Sequence, residues 1–387
     1  MTKRITILGS TGSIGKNALE VIDSLGGQYV VAALSANSSI DLLAEQARKY
    51  RPEYIAVTDP SKYKHLKQLT CDLDIEILNG PDSLITIAEL DQVDTVLTAV
   101  VGAAGLPATI AAAEKGKNLA VANKEPLVIA GQLLTETLKE TGGQILPIDS
   151  EHSAVFQSMR CGKAEEVKKI VLTASGGPFR NFTMEEIENV TVEQALDHPT
   201  WQMGPKITID SATMMNKALE VIEAKWLFDI PVDKIDIIIH PESIVHSFVE
   251  YVDGAVIAQL GAPDMKVPIQ YALTWPDRVE GIGQRLDLQQ ISSLTFEQAD
   301  MKKFRALALG YQAARQGGSA PVVFNAANEQ AVQEFLEGKI KFVSIVGAIE
   351  HCLEVHQANS RLGLEELIEI DQWSRKEVTK WINARTR

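Results

Sequence analysis

Two acidic side chains, Asp149 and Glu151, stand two residues apart directly after the aliphatic run Ile145–Ile148. In an extended chain, positions i and i+2 point the same way. The sequence therefore places both carboxylates at one spot beyond a strand. Oxygen-only ligands of this kind suit Mg2+ or Mn2+; a solvated acidic loop is the other reading of the pair taken alone. Glu220 adds a third acid. It lies between Ala218-Leu219 and Val221-Ile222, and a carboxylate in so apolar a stretch requires a partner or a metal. A helix predicted over 212–226, with Asp210-Ser211-Ala212 at its start, sets Asn216, Lys217 and Glu220 on one face. A plain Lys217–Glu220 salt bridge uses two of these residues and leaves Asn216 and Ser211 unexplained.

Anion-binding groups follow a second strand. Thr173-Ala174-Ser175-Gly176-Gly177-Pro178 offers small residues and bare amides that can cradle an anion, or make a simple turn. Ser175, Ser211, Asn216 and Lys217 together supply hydroxyl, amide and ammonium donors, a set that fits a small phosphorylated substrate. In His198-Pro199-Thr200-Trp201-Gln202-Met203-Gly204, a tryptophan and a methionine lie among turn residues. Trp201 is either an anchor on the core or part of a lid that excludes water from a ligand.

Near the N-terminus, Gly9-Ser10-Thr11-Gly12-Ser13-Ile14-Gly15-Lys16-Asn17 joins a first strand to a first helix. Glycines there let the backbone approach a pyrophosphate, and the helix presents free N–H groups. The spacing is Gly-x-x-Gly-x-x-Gly, and it misses the P-loop, which favours a dinucleotide over ATP. No acid follows the second strand until Asp41. The polar stretch that holds Asn37 and Ser38 can hydrogen-bond a 2′-phosphate, which points to NADP.

The elements that must position these groups are legible in outline. Ile5–Leu8, Val30–Leu34, Tyr54–Val57, Thr95–Ala99 and Leu119–Ala122 are strand-like, with helical segments such as Asn17–Ser24 and Ile40–Lys49 between them. Such alternation predicts an α/β fold with a Rossmann-like parallel sheet, closed near residue 150 by a strand at Gln144–Ile148. From about 165 to 275 the pattern is α+β, with strands at Val167–Thr173, Ile235–Ile239, Ser247–Tyr251 and Val256–Leu260. The expected domains are a nucleotide domain over 1–150, a catalytic domain binding substrate and metal over 151–275, a linker over 276–300, and a small helical C-terminal domain over 301–387 with breaks at Gly317-Gly318 and Gly338.

The 387 residues carry 37 Lys+Arg against 51 Asp+Glu, a formal charge of −14, which argues against nucleic acid as the main partner. Three scattered cysteines, Cys71, Cys161 and Cys352, fit neither a disulfide framework nor a cysteine-based zinc site. With no targeting segment or apolar run of spanning length, the expected location is the cytoplasm, with no membrane association.

Nine motifs occur in one order: Gly9-Ser-Thr-Gly-Ser-Ile-Gly15, Gly102-Ala-Ala-Gly105, Ala122-Asn-Lys-Glu125, Asp149-Ser-Glu-His152, Thr173-Ala-Ser-Gly-Gly-Pro-Phe179, His198-Pro-Thr-Trp-Gln-Met-Gly204, Met214-Met-Asn-Lys217, His240-Pro-Glu-Ser243 and Phe324-Asn-Ala-Ala-Asn-Glu329. On these the chain resembles the 1-deoxy-D-xylulose 5-phosphate reductoisomerase family over nearly its whole length. The resemblance implies NADPH- and divalent-cation-dependent (Mg2+, Mn2+ or Co2+) rearrangement and reduction of 1-deoxy-D-xylulose 5-phosphate to 2-C-methyl-D-erythritol 4-phosphate, for isoprenoid precursor synthesis, by a homodimer. It further implies that Thr11, Gly12, Ser13 and Ile14 hold the NADPH pyrophosphate, with Asn123, Glu125 and Gly204 also on the cofactor. Asp149, Glu151 and Glu220 would bind the cation. Ser175, Ser211, Asn216 and Lys217 would bind the substrate phosphate, with His198 at that end. Lys124, Ser150 and Glu151 would meet the carbonyl and hydroxyl end, and Trp201 and Met203 would ride on a closing loop. Lys124, Glu151 and His198 are the expected catalytic residues. Asn37 and Ser38 stand where the family usually has glycine and often a basic residue, and Ala174 replaces a frequent glycine.

Two other readings use the same glycine loop. A simple NADP-dependent dehydrogenase of the homoserine or semialdehyde type has no need of three metal-binding acids, and its semialdehyde form needs a nucleophilic cysteine in a catalytic motif. A non-catalytic NADP sensor predicts cofactor binding without turnover or metal dependence.

Overall fold

The structure, a computed structural model, describes residues 2–198 and 203–385. The chain divides into two units. The first comprises Met1–Pro126, Leu134–Ser153 and Asp264–Gln284; the second comprises Leu127–Leu133, Ala154–Pro263 and Arg285–Arg387.

The first unit is built on seven parallel strands, β1 (Lys3–Leu8), β2 (Tyr29–Ala36), β3 (Tyr54–Val57), β4 (Glu76–Asn79), β5 (Thr95–Thr98), β6 (Asn118–Val121) and β7 (Ile145–Pro147), in the order β4-β3-β2-β1-β5-β6-β7. Residues Ile5–Leu8 of β1 and all of β5 are buried, as a parallel sheet covered on both faces requires. The sequence reading did not include β4. It is a short edge strand with only Ile77 and Leu78 as apolar residues, neither fully buried, so it carries almost no hydrophobic signal.

The strand order reverses at β1. In open α/β sheets ligands bind outside the carboxyl ends of the strands at such a switch point. The glycine loop emerges there, and the helix Ser13–Leu25 follows it. Gly15 lets that helix come close: a Cβ at this position would lie 2.5 Å from the Gly9 carbonyl oxygen and 2.5 Å from the Ser10 Cα. The later segment Asp264–Gln284 returns to this unit. Its helix Lys266–Thr274 is tied down by the Lys3 ammonium, which donates to the Leu273 and Trp275 carbonyls at 3.3 and 3.2 Å.

The second unit has a five-stranded mixed sheet, β8 (Val167–Ala174), β9 (Ile235–Ile239), β10 (Val245–Tyr251), β11 (Val256–Leu260) and β12 (Glu297–Gln298), ordered β11-β10-β8-β9-β12. β8 and β9 are parallel, and the other pairings are antiparallel. Four helices, Arg305–Gln316, Ala320–Leu336, Phe342–Val355 and Leu364–Arg385, share one hydrophobic core with β8 and the helix Met215–Phe228. Breaks at Gly317-Gly318 and Gly338 are made by positive φ, as the sequence predicts.

The helix expected over 212–226 is two helices, Pro205–Ala212 and Met215–Phe228, separated by Thr213 and a left-handed Met214 at φ 60°. Asp210 and Ser211 therefore lie in the last turn of the first helix instead of capping the second. Met214 is itself buried, and no glycine or proline marks the break. The three cysteines are free. No helix among the described residues is long and apolar enough to cross a membrane.

The glycine contacts predict a contrast. Gly15→Ala forces backbone to move and costs about 1–3 kcal/mol, in the range of overpacked cores. Gly12→Ala, whose new Cβ would meet nothing nearer than 3.5 Å, stays within roughly 0.5 kcal/mol of the parent. Thermal unfolding midpoints of the two variants check this.

Candidate active site

The glycine loop is braced from behind. Ser10 is fully buried; its hydroxyl donates to Gln46 Oε1 at 2.7 Å, and Gln46 Nε2 donates back to the Ser10 carbonyl at 2.9 Å. Ser35 accepts the Gly9 N–H on its hydroxyl at 3.0 Å and the Ser10 N–H on its carbonyl at 2.8 Å. Thr11 and Ile14 are partly exposed and Gly12 and Ser13 fully so. The helix they open has no side-chain cap and no acid in its first turn, which leaves its positive end to an outside anion. Asn37 and Ser38 are exposed just past β2. Gln46 is a residue the sequence reading missed. The signal was there: a polar side chain among Ile40, Leu43, Ala44 and Ala47 on the buried side of the helix Ile40–Tyr50.

Past β6, Asn123 and Glu125 are both buried, and the Asn123 amide donates to the Gly102 carbonyl at 3.3 Å and to the Glu125 carboxylate. Lys124 precedes the helix Glu125–Thr141, and its ammonium is paired with Asp149. His152 Nδ1 is 3.9 Å from the same carboxylate. Ser150 donates to Glu151 at 2.5 Å. The strand-end geometry expected for the acids is corrected here. Ser150–Ser158 is a helix, and the Asp149 carbonyl accepts the Ser153 N–H at 2.8 Å. Asp149 and Glu151 thus stand at a helix start and not at the end of an extended run, yet a carboxylate oxygen of each still lies within 4.8 Å of the other, so the expected convergence on one spot is kept. Lys124 meets Asp149 because β6 and β7 are parallel neighbours, with Val121 opposite Pro147, so the segments after their carboxyl ends lie side by side.

In the second unit, Ser175 follows β8, and His198 Nε2 lies 3.3 Å from its hydroxyl and 3.1 Å from the Ser211 hydroxyl. The Gly177 N–H donates to Ser175 Oγ at 3.3 Å. Gly177 has φ +67°, and a Cβ there would sit 2.6 Å from the Ser211 carbonyl, so only glycine lets this loop lie against the helix that carries Ser211. A second group forms on the first turns of Met215–Phe228. Asn216 Nδ2 donates to Glu220 Oε1 at 2.7 Å, and the Lys217 ammonium donates to Glu220 Oε2. Lys217 is 3% exposed and Glu220 0%. The helix start holds no acid in its first turn, and the Thr213 hydroxyl accepts the Met215 N–H at 3.3 Å.

Met203 is half-buried and Gly204 exposed at the start of Pro205–Ala212. Trp201 lies outside the described residues. The His240 motif serves the fold of its own turn. His240 Nδ1–H donates to the Thr295 carbonyl at 2.8 Å, and Nε2 accepts the N–H groups of Ile244 and Val245 at 3.2 and 3.1 Å.

Three sequence models match the chain: 1-deoxy-D-xylulose 5-phosphate reductoisomerase over residues 5–131, the 1-deoxy-D-xylulose 5-phosphate reductoisomerase C-terminal domain over 145–228, and the DXP reductoisomerase C-terminal domain over 260–377. A 1-deoxy-D-xylulose 5-phosphate reductoisomerase of Chlorobium chlorochromatii is 50% identical over 373 residues, which are 96% of this chain and 98% of that protein. That of Chloroherpeton thalassium is 51% identical over 376 residues, 97% of each. Among solved structures, a DOX-P reductoisomerase in complex with NADPH, fosmidomycin and magnesium superposes with a TM-score of 0.95 at 43% identity, covering 100% of this chain and 99% of the other. The Zymomonas mobilis enzyme in complex with NADPH gives 0.93 at 42% identity, covering 99% of each.

Burial holds the His198 imidazolium at a disadvantage and lowers its pKa below the usual 6.5. The unfolded chain then binds the proton that the folded chain refuses, so this residue's contribution makes stability rise with pH up to the unfolded value and fall on acidification. His198→Gln should flatten the loss of stability between about pH 7 and 5. In the parent, the His198 ring resonances should titrate with a midpoint below 6.5; a midpoint above it would contradict the neutral imidazole.

Proposed function

The chain belongs to the 1-deoxy-D-xylulose 5-phosphate reductoisomerase family, and from that premise we propose how its residues divide the work. It carries out the NADPH- and divalent-cation-dependent isomerisation and reduction of 1-deoxy-D-xylulose 5-phosphate to 2-C-methyl-D-erythritol 4-phosphate. Residues 1–150 serve NADPH, 151–275 serve substrate and cation, 276–300 link, and 301–387 form a helical support. The working form is a cytoplasmic homodimer.

Thr11, Gly12, Ser13 and Ile14 take the cofactor pyrophosphate at an uncapped helix start. Asn37 and Ser38 take the 2′-phosphate, and Asn123, Glu125 and Gly204 complete the cofactor contacts. NADPH supplies the hydride; these residues orient it.

One observation carries the substrate half. Ser175, His198 and Ser211 converge on one spot beside a glycine N–H. With Asn216 and Lys217 on the first turn of the next helix, they make an anion site of hydroxyl, imidazole, amide and ammonium donors, which suits a sugar phosphate. His198, whose charged form burial disfavours, offers a ring nitrogen to that spot. Lys124, Ser150 and Glu151 hold the carbonyl and hydroxyl end, with Glu151 placed to accept or return a proton. Met203 and Trp201 cover the substrate and exclude water.

Asp149, Glu151 and Glu220 offer oxygen donors only, and Glu220 is a fully buried carboxylate. That donor set fits a hard divalent cation such as Mg2+, Mn2+ or Co2+. Bound there, the cation supplies Lewis-acid charge beside the substrate oxygens.

Incubation with NADPH, 1-deoxy-D-xylulose 5-phosphate and Mg2+ or Mn2+ should oxidise the cofactor and yield a branched product by NMR, and EDTA should abolish both. Folded protein that binds NADPH yet oxidises none with any divalent cation would sink the reading in favour of a sensor or another dehydrogenase. Lys217→Gln, which keeps a donor for Glu220, should raise KM and lower kcat, each by about tenfold, because a remote phosphate contact that drives closure acts on the transition state as well. Steady-state kinetics with KM alone changed would remove that coupling.

A further inference from the structure

The motif Phe324-Asn-Ala-Ala-Asn-Glu329 lies far from the groups assigned above in sequence, yet one of its side chains reaches the residue next to Ser211. Asn328 sits in the buried helix Ala320–Leu336, among Val322, Val323, Phe324 and Ala331, at 0% exposure. Its Nδ2 donates to Asp210 Oδ1 at 2.8 Å. Asp210, 1% exposed, gives its other oxygen to the Lys206 ammonium at 2.8 Å, one helical turn earlier. Its carbonyl accepts the Thr213 hydroxyl at 3.2 Å.

Asn328 Oδ1 has no hydrogen-bond partner among the described residues. An unpaired buried acceptor is costly, and an apolar side chain of the same shape would avoid the cost. What the asparagine provides in return is one Nδ2–H donated to Asp210. The neighbouring Glu329 accepts from Arg375 at 2.6 Å and from Asn325 at 3.1 Å, and Arg375 also pairs with Asp371 at 2.7 Å. These bonds fix the helix against rotation and so fix where Asn328 aims.

We infer that Asn328 is a positioning residue for the phosphate site: by holding Asp210, it sets the last turn of Pro205–Ala212 so that the Ser211 hydroxyl faces His198. This rests on the reading of Ser211 as a phosphate ligand. It also gives the C-terminal helices a task beyond filling the core, since the Arg375–Glu329 pair of the helix Leu364–Arg385 holds the helix that bears Asn328.

The test measures inorganic phosphate binding to the full-length protein by calorimetry, and KM for the phosphorylated substrate and for NADPH separately. Asn328→Leu should weaken phosphate about 3- to 10-fold and raise the substrate KM by a like factor, with the NADPH KM unchanged. Asn328→Ala, which removes the same donor without added bulk and leaves the Asp210–Lys206 pair in place, should weaken phosphate by a like factor with the NADPH KM unchanged. Unchanged phosphate affinity in Asn328→Leu overturns the inference. So does an equal loss for NADPH, which would mark general damage. If Asn328→Leu does not fold, Asn328→Ala decides: unchanged phosphate affinity overturns the inference, and weakened affinity with the NADPH KM unchanged supports it. A parent that binds no phosphate overturns the phosphate-site reading and this inference with it.

Discussion

A carboxylate with no solvent at all, Glu220, sets the terms for the second unit. An uncompensated buried carboxylate costs several kcal/mol. Asn216 and Lys217 compensate it from the preceding turn, one donor on each oxygen. For both to reach, the helix must already be running at Met215, which places the chain reversal at Thr213 and Met214. A non-glycine residue in the left-handed region costs roughly 1–3 kcal/mol, and Met214 is held there by burial on every side. The break is what allows two helix ends, one carrying Ser211 and one carrying Asn216 and Lys217, to occur within a few residues.

The same requirement explains why so much helix surrounds so small a group of donors. Hydroxyls and an imidazole bind an anion well only when their directions are fixed, because each exposed rotamer lost on binding weakens the complex. Ser175 is fixed by the Gly177 turn, Ser211 by its place at the end of Pro205–Ala212, and His198 by the two hydroxyls it lies between. The core shared by β8, Met215–Phe228 and the four C-terminal helices provides that rigidity.

Much of this was legible in the sequence. The parallel strands of the first unit read clearly because both of their faces are buried, and the glycine loop read clearly because only glycine tolerates the approach at Gly15. Asp149 and Glu151 do meet at one spot, as their spacing predicts, but on a helix start in place of an extended run: the chain turns into a helix at Ser150, which the alternation rule cannot foresee. The helix break at Thr213–Met214 left no composition signal. Gln46 and Asn328 did leave one, a polar residue within an apolar stripe. Its meaning depends on what lies across the interface, Ser10 in one case and Asp210 in the other, and those partners are 36 and 118 residues away in sequence.

The charge distribution completes the account. A chain of formal charge −14 that takes two phosphorylated ligands has no net positive field with which to draw them in. It has to recognise them at short range. On the proposed assignment, the cofactor loop would offer backbone N–H groups and a helix dipole, and the substrate end would offer hydroxyls, an imidazole whose charged form burial disfavours, and one buried ammonium already matched to Glu220. Dipoles of this kind act over a few ångströms and are little screened by salt when water is excluded. On that assignment, discrimination would rest on fit to the phosphate. On the proposed assignment, a divalent cation would turn part of the excess of carboxylates from a liability into ligands.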